Sequence, residues 1–250
     1  MMAARTRGTW GGRRPGAGRK PGPNPKTPHR ALTTYTGKSP VLMTLHASID
    51  TLRSERAFDA ILRAVAGTNA FAADQFRIVH FSVAPNRVYL IAEARNARSL
   101  SSGARSIAIR IARYVNDTLS RTGPLWADRW RRRDLKTPAD VRRALVYVFG
   151  NFRAHVPHAA RASIDPYSSA AWFDGFRGYD PTSGAPPLAE TRAGVAASFE
   201  TSRSESPVLP PRSALLASDW RKLGLIGLKE TPDGEQRGRL RAAGKAQTRT

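Results

Sequence analysis

The chain has 250 residues, 41 of them Lys or Arg and 19 Asp or Glu, for a formal net charge of +22 and no cysteine. Its length and 40% apolar content can bury a core, while the missing thiols exclude disulfides, thiolate zinc sites, iron–sulfur clusters and a Cys nucleophile. No apolar run approaches the roughly 18 residues of a membrane span and the N-terminus lacks a secretory signal, so a soluble, cytoplasmic protein with no membrane partner is expected.

Residues 1–36 form a basic segment expected to be disordered. The first 30 residues hold eight cations and no acid among many Gly and Pro, and such a stretch cannot bury a core. Within it Arg13, Arg14, Arg19 and Lys20 lie in Gly12-Arg13-Arg14-Pro15-Gly16-Ala17-Gly18-Arg19-Lys20-Pro21-Gly22, which resembles an AT-hook. Arginine arms of that kind enter a narrow minor groove. A solvated tail that raises non-specific affinity stays an equal alternative.

Residues 37–178 are the expected folded domain. Val41–Ile49 reads as a strand, and Ser54 to about Ala70 as a helix with Phe58, Ile61, Leu62 and Val65 on one face. Strands over Phe76–Val83 and Arg87–Ala94 follow, joined by Ala84-Pro85-Asn86. A long helix, about Ser99–Arg121, carries Leu100, Ile107, Ile111, Val115 and Leu119 inward and stops at Gly123-Pro124. Trp126–Lys136 has room for a short fourth strand, and Thr137-Pro138 opens a last helix with Thr137 as cap. The order β-α-β-β-α-(β)-α predicts an α+β ferredoxin-like sandwich, an antiparallel sheet with helices packed on one face and the other face free for a ligand. Residues 179–213 read as a linker, 214–230 as a short helical appendage and 231–250 as a second disordered tail.

The charge divides unevenly along this plan. The first 30 residues contribute +8, residues 31–180 contribute +10 (22 minus 12) and residues 181–250 contribute +4 (11 minus 7). Only 7 of the 41 cations are lysine, leaving 34 arginines, whose planar fork suits phosphate. A GC-rich coding sequence explains part of that ratio but not the excess over acids, so nucleic acid is the expected partner. The run Trp126-Ala127-Asp128-Arg129-Trp130-Arg131-Arg132-Arg133 interleaves rings with cations as single-strand binding requires. Trp126 is expected in the core, with Arg129, Arg131, Arg132 and Arg133 at DNA.

In the last helix Val141, Ala144, Leu145, Val148, Phe149 and Phe152 form the apolar stripe, and Tyr147 lies off it beside Arg143 and Asn151, each one turn away. A tyrosine at the edge of a stripe is commonly a packing residue. Flanked by Arg and Asn on a basic protein, it is also a candidate phenolic nucleophile for a phosphodiester.

Several blocks here resemble the REP-associated tyrosine transposases, within the single-tyrosine HUH transposase superfamily. They are His80–Ile91, Ile109–Asn116, Trp126-Ala127-Asp128-Arg129 and Ala144–Asn151, over about residues 37–178; Asp165–Phe173 and Trp220–Ile226 look like extensions of one branch. The resemblance implies DNA transposition and recombination by a mobile element. Two histidines and a polar residue of the tyrosine helix hold magnesium or manganese, and the tyrosine attacks single-stranded DNA, often beside a hairpin, leaving a 5′-phosphotyrosine. Tyr147 matches the nucleophile and Asn151 the third ligand position. The other two ligand positions depart from the pattern: where the motif reads Asn-His-apolar-His-Leu, this chain has Asn86-Arg87-Val88-Tyr89-Leu90.

Arginine cannot release its proton to coordinate a metal, and a neutral tyrosine is a poor ligand for a magnesium-like ion. A Lewis-acid metal contributes several kcal/mol, so its loss costs on the order of a thousandfold in rate. His46, His80, Glu93, His155 and His158 form no convincing replacement triad in the sequence. The expected reading is a transposase-like protein that binds single-stranded or hairpin DNA, with catalysis lost or reduced, the family's metal not bound, and Arg87 and Arg143 gripping the phosphate instead. An active tyrosine transposase with a rebuilt metal site and a basic RNA-binding module are the alternatives, and a homodimer is left open.

Overall fold

The computed structural model describes residues 35–154, 164–178 and 206–232. The AT-hook-like cations Arg13, Arg14, Arg19 and Lys20, His155 and His158, most of the 179–213 segment and the tail beyond 232 lie outside the described residues.

Strand β1 (Val41–His46) is followed by helix α1 (Glu55–Ala72), strands β2 (Phe76–Ala84) and β3 (Arg87–Ala94), helix α2 (Ala97–Thr118), strand β4 (Arg131–Asp134) and helix α3 (Pro138–Gly150). Each helix begins on a side-chain cap: Ser54 accepts from Ala57 N–H, Asn96 from Ser99 N–H, and Thr137 exchanges bonds with Asp140 in a capping box with proline just inside. The strands form one antiparallel sheet in the order β2-β3-β1-β4, so β3 and β1 lie at its centre. This is the α+β arrangement expected, including the short fourth strand. On one face α1 and α2 pack Phe58, Ile61, Val65, Leu100, Ile107 and Ile111 onto Met43, Leu45, Phe81 and Leu90.

The second face is not open, and here the expectation of helices on one face is corrected. Helix α3 and the segments after it cover that face, burying Leu42, Val79, Tyr89 and Ile91 against Val141, Leu145, Phe149, Phe173, Phe176 and Trp220. The sign of it lies in β2 and β3. All nine residues of β2 are buried and all but the first of β3, as in strands covered on both sides. The covering chain includes a short helix α4 (Ala214–Ala217) and a 3-10 turn, Asp219–Leu223, which seats Trp220.

Two segments also close the edge of β2. Val83 N–H donates to the Tyr167 carbonyl and Phe81 N–H to Ser169 Oγ at 2.8 and 2.9 Å; farther along, Leu209 N–H donates to the Ile78 carbonyl at 3.1 Å. Residues 206–213, read from sequence as linker, therefore lie on the sheet edge. Glu93 fixes their end by accepting from Arg212 N–H, Ser213 N–H and Ser213 Oγ. Among the described residues, no helix is long and apolar enough to cross a membrane.

Candidate nucleic-acid interface

Directly paired residues of antiparallel strands point to the same face, so the register lays out the surface around Tyr147. On the α3 side one row runs Tyr89–Thr44–Arg131 across β3, β1 and β4, and the next places Arg87 opposite His46. Below them Ile91, Leu42 and Arg133 make a partly apolar floor. The rows end in cations and polar groups because His46 and Arg87 stand at the open ends of their strands.

Tyr147 is only 7% exposed. Its phenol donates to Tyr89 Oη at 3.2 Å, and the two rings meet edge-to-face with centroids 5.1 Å apart. The lateral position expected for Tyr147 is thus corrected: it belongs to the second core, because the sheet face beneath it is covered. Asn151, one turn later, is buried at the C-cap of α3 and its N–H donates to the Tyr147 carbonyl.

Arg143 lies one turn before Tyr147, and its guanidinium bonds Asp140 at 2.9 Å. Asp140 also accepts from Arg133 of β4 at 3.3 Å. Burial opposes ionisation of Asp140, but the bonds from Arg143 and Thr137 and the charge of Arg133 hold its carboxyl below the usual range. A single carboxylate ties two candidate DNA cations together and joins α3 to β4. Arg87 is half-buried and donates to Asn86 Oδ1 at 3.0 Å. Burial first, then the charges of Arg87 and Arg131, push the His46 imidazole below its ordinary value, with Asp128 opposing them. The register sets Arg87 opposite His46 and Arg131 opposite Thr44, two residues earlier on β1.

The remaining cations divide by strand alternation. Arg131 faces the Tyr147 side and pairs loosely with Asp128 at 3.7 Å. Arg132 faces the other way; its side chain is 6% exposed, bonded to Asp134 at 2.8 Å and lying over the Tyr35 ring. Arg129 is exposed in the preceding loop. Trp126, expected in the core, is partly buried there, with its indole N–H on the Ala108 carbonyl at 2.9 Å, and Trp130 packs on the same core.

Positions 87 and 89, where the resemblance noted in the sequence would put histidines, carry side chains that do not fit a divalent ion. Position 87 holds a fixed cation, and position 89 holds a phenol already bonded to Tyr147. Among the described residues no cluster of three His, Cys, Asp or Glu side chains has metal-binding geometry. His80 instead sits edge-on against Phe149 and Phe173, and burial pushes its imidazole down to about 3; Glu93 is spent on the 212–213 cap.

Sequence inspection did not single out Thr44, and it gave His46 no partner. The signal needed was cross-strand register, which places these two opposite Tyr89 and Arg87.

No family model and no curated protein matches this chain. Among solved structures it is similar to a REP-associated tyrosine transposase bound to a REP hairpin, at 18% identity and a TM-score of 0.46, with 66% of this chain and 95% of that one covered.

Proposed function

We propose that this chain is a transposase-like DNA-binding protein that holds a phosphate of single-stranded or hairpin DNA, without a metal, on the surface formed by Arg87, His46 and Arg131. The observation that carries this reading is the register pairing of Arg87 with His46, one row from Arg131, on the side of the sheet where Tyr147 lies. Guanidinium forks supply there the charge that an ion otherwise would. Arg133 and Arg143, tied through Asp140, extend the basic surface along α3. Tyr147 then serves packing: its hydroxyl donates to another phenol rather than to a base that would activate it for attack.

Arg87→Ala is expected to weaken binding of a labelled DNA hairpin by about tenfold to a hundredfold, the range of a charge-assisted hydrogen bond, and chelator is expected to leave wild-type affinity unchanged. Anisotropy titrations at fixed salt decide both points. Chelator-sensitive binding, or no loss in Arg87→Ala, overturns the clamp. A covalent adduct with magnesium or manganese that disappears in Tyr147→Phe would establish an active nuclease instead.

A second expectation concerns pH. His46 is held below its ordinary range chiefly by burial and then by Arg87 and Arg131, so it is neutral at pH 7. A phosphate seated between those cations offsets their repulsion and favours the imidazolium, so the complex takes up a proton. Affinity therefore rises several-fold as pH falls from about 8 to about 5.5, and His46→Gln flattens the slope. Equal slopes in the two proteins exclude His46 as the titrating group.

A further inference from the structure

A cleft of about 440 Å³ opens between the last turn of α1 and the first half of α2, on the opposite side of the sheet from Tyr147. Its volume falls within the range of small-ligand sites, roughly 300–1,000 Å³. Phe71 lines it with 86% of its surface exposed, well above the 52% of Ile109 and Leu223, the other exposed large apolar residues among those described. An aromatic ring so placed contributes nothing to the core.

The Arg110 guanidinium lies 5.8 Å from the Phe71 ring centroid. It passes Gly67, where a Cβ would come within 3.4 Å of its Nη1. That is ordinary contact distance, so the guanidinium lies close over the α1 backbone beside the ring. On α2, Gly103 lets the Phe76 ring pack beneath the cleft, since a Cβ there would sit 2.1 Å from it. Apart from Ala72 the rest of the lining is polar or cationic: Gln75 accepts from Ser99 Oγ at 3.0 Å, Arg98 stands on the first turn of α2, and no carboxylate lines the cleft.

We propose that this cleft takes an unpaired DNA nucleobase, stacked on Phe71 and bonded at its edge by Gln75 and Ser99, with the flanking phosphates on Arg98 and Arg110. An exposed ring beside a guanidinium is a stacking platform for any base, and the two arginines supply the backbone charge that accompanies it. The inference rests on the reading that the partner is DNA, but not on the Arg87 clamp, which lies on the other side of the sheet.

The test compares a labelled DNA hairpin carrying a short thymidine tail with the same hairpin carrying an abasic tail and with no tail, by anisotropy on the full chain. The thymidine tail is expected to bind about tenfold more tightly than the abasic one, the contribution of one stacked base. Phe71→Ala abolishes that difference and Phe71→Trp retains it; truncating so exposed a ring leaves the fold intact. Equal affinity for the two tails, or a difference that survives in Phe71→Ala, overturns the inference while hairpin binding stands. A chain that binds none of the three overturns it together with the reading on which it rests.

Discussion

Replacing Trp220 by alanine is expected to lower the unfolding free energy by about 3–5 kcal/mol, the cost of emptying a large buried aromatic site. Trp220 is 1% exposed and stacks on Phe173 with centroids 5.7 Å apart and planes 23° from parallel. Its indole N–H is satisfied by the Leu216 carbonyl at 3.0 Å, so the ring buries no orphan donor. Phe173 in turn contacts Phe149 of α3 at 4.8 Å and Phe176 at 5.0 Å, which makes Trp220 the outer member of a stack that ends on the sheet. The cavity cannot easily collapse, because Gly175 already allows closest approach: a Cβ there would sit 2.3 Å from Phe173 and 2.5 Å from Trp220. Urea denaturation monitored by circular dichroism measures the loss, and a change below about 1 kcal/mol would mean that the 206–232 segment is a detachable appendage.

That segment shows where sequence reading stopped. The strands, the two long helices and the Thr137 cap were legible because period, turn residues and caps are local signals. The covering of the second face was not, although part of its trace was present: Val88–Ala92 is an unbroken run of apolar and aromatic residues, where a sheet open on one side would alternate. What lay on that face could not be read, since Trp220 reaches Phe173 from 47 residues away in the chain through an intervening stretch of Ser, Ala, Pro and Gly. The candidate site divided in the same way. Arg87 and Tyr89 are visible as departures from a motif, but the pairing of His46 with Arg87 depends on a register that β1 and β3 acquire only on folding. The Arg131–Arg133 run read as one basic patch, and strand alternation splits it, sending Arg132 to Asp134 and Tyr35.

Arg53→Leu is expected to cost about 3–5 kcal/mol, far more than the 1 kcal/mol or less of an exposed ion pair. Its partner Asp165 has a side chain only 1% exposed and receives both guanidinium nitrogens, at 3.0 and 2.9 Å, with Tyr167 N–H as a further donor. Arg53 also donates to the Val83 carbonyl at 2.7 Å and lies over the Tyr167 ring at 4.4 Å. Removing it leaves a buried carboxylate without its paired guanidinium, with only the more distant charge of Arg153 acting on it, and a β2 carbonyl short of a donor, and the 164–169 segment loses its tie to the loop before α1. The double variant Arg53→Leu/Asp165→Leu separates charge from packing: deleting both charges should recover most of the loss, since an apolar pair of similar volume is often neutral or better. A double-mutant cycle by urea denaturation gives the coupling. A single-variant cost near 1 kcal/mol, or no recovery in the double, would mean that Asp165 reaches solvent. Amide exchange supplies an independent readout, because the N–H groups of Phe81 and Val83, bonded to Ser169 and Tyr167, should open in Arg53→Leu before the centre of β3 does.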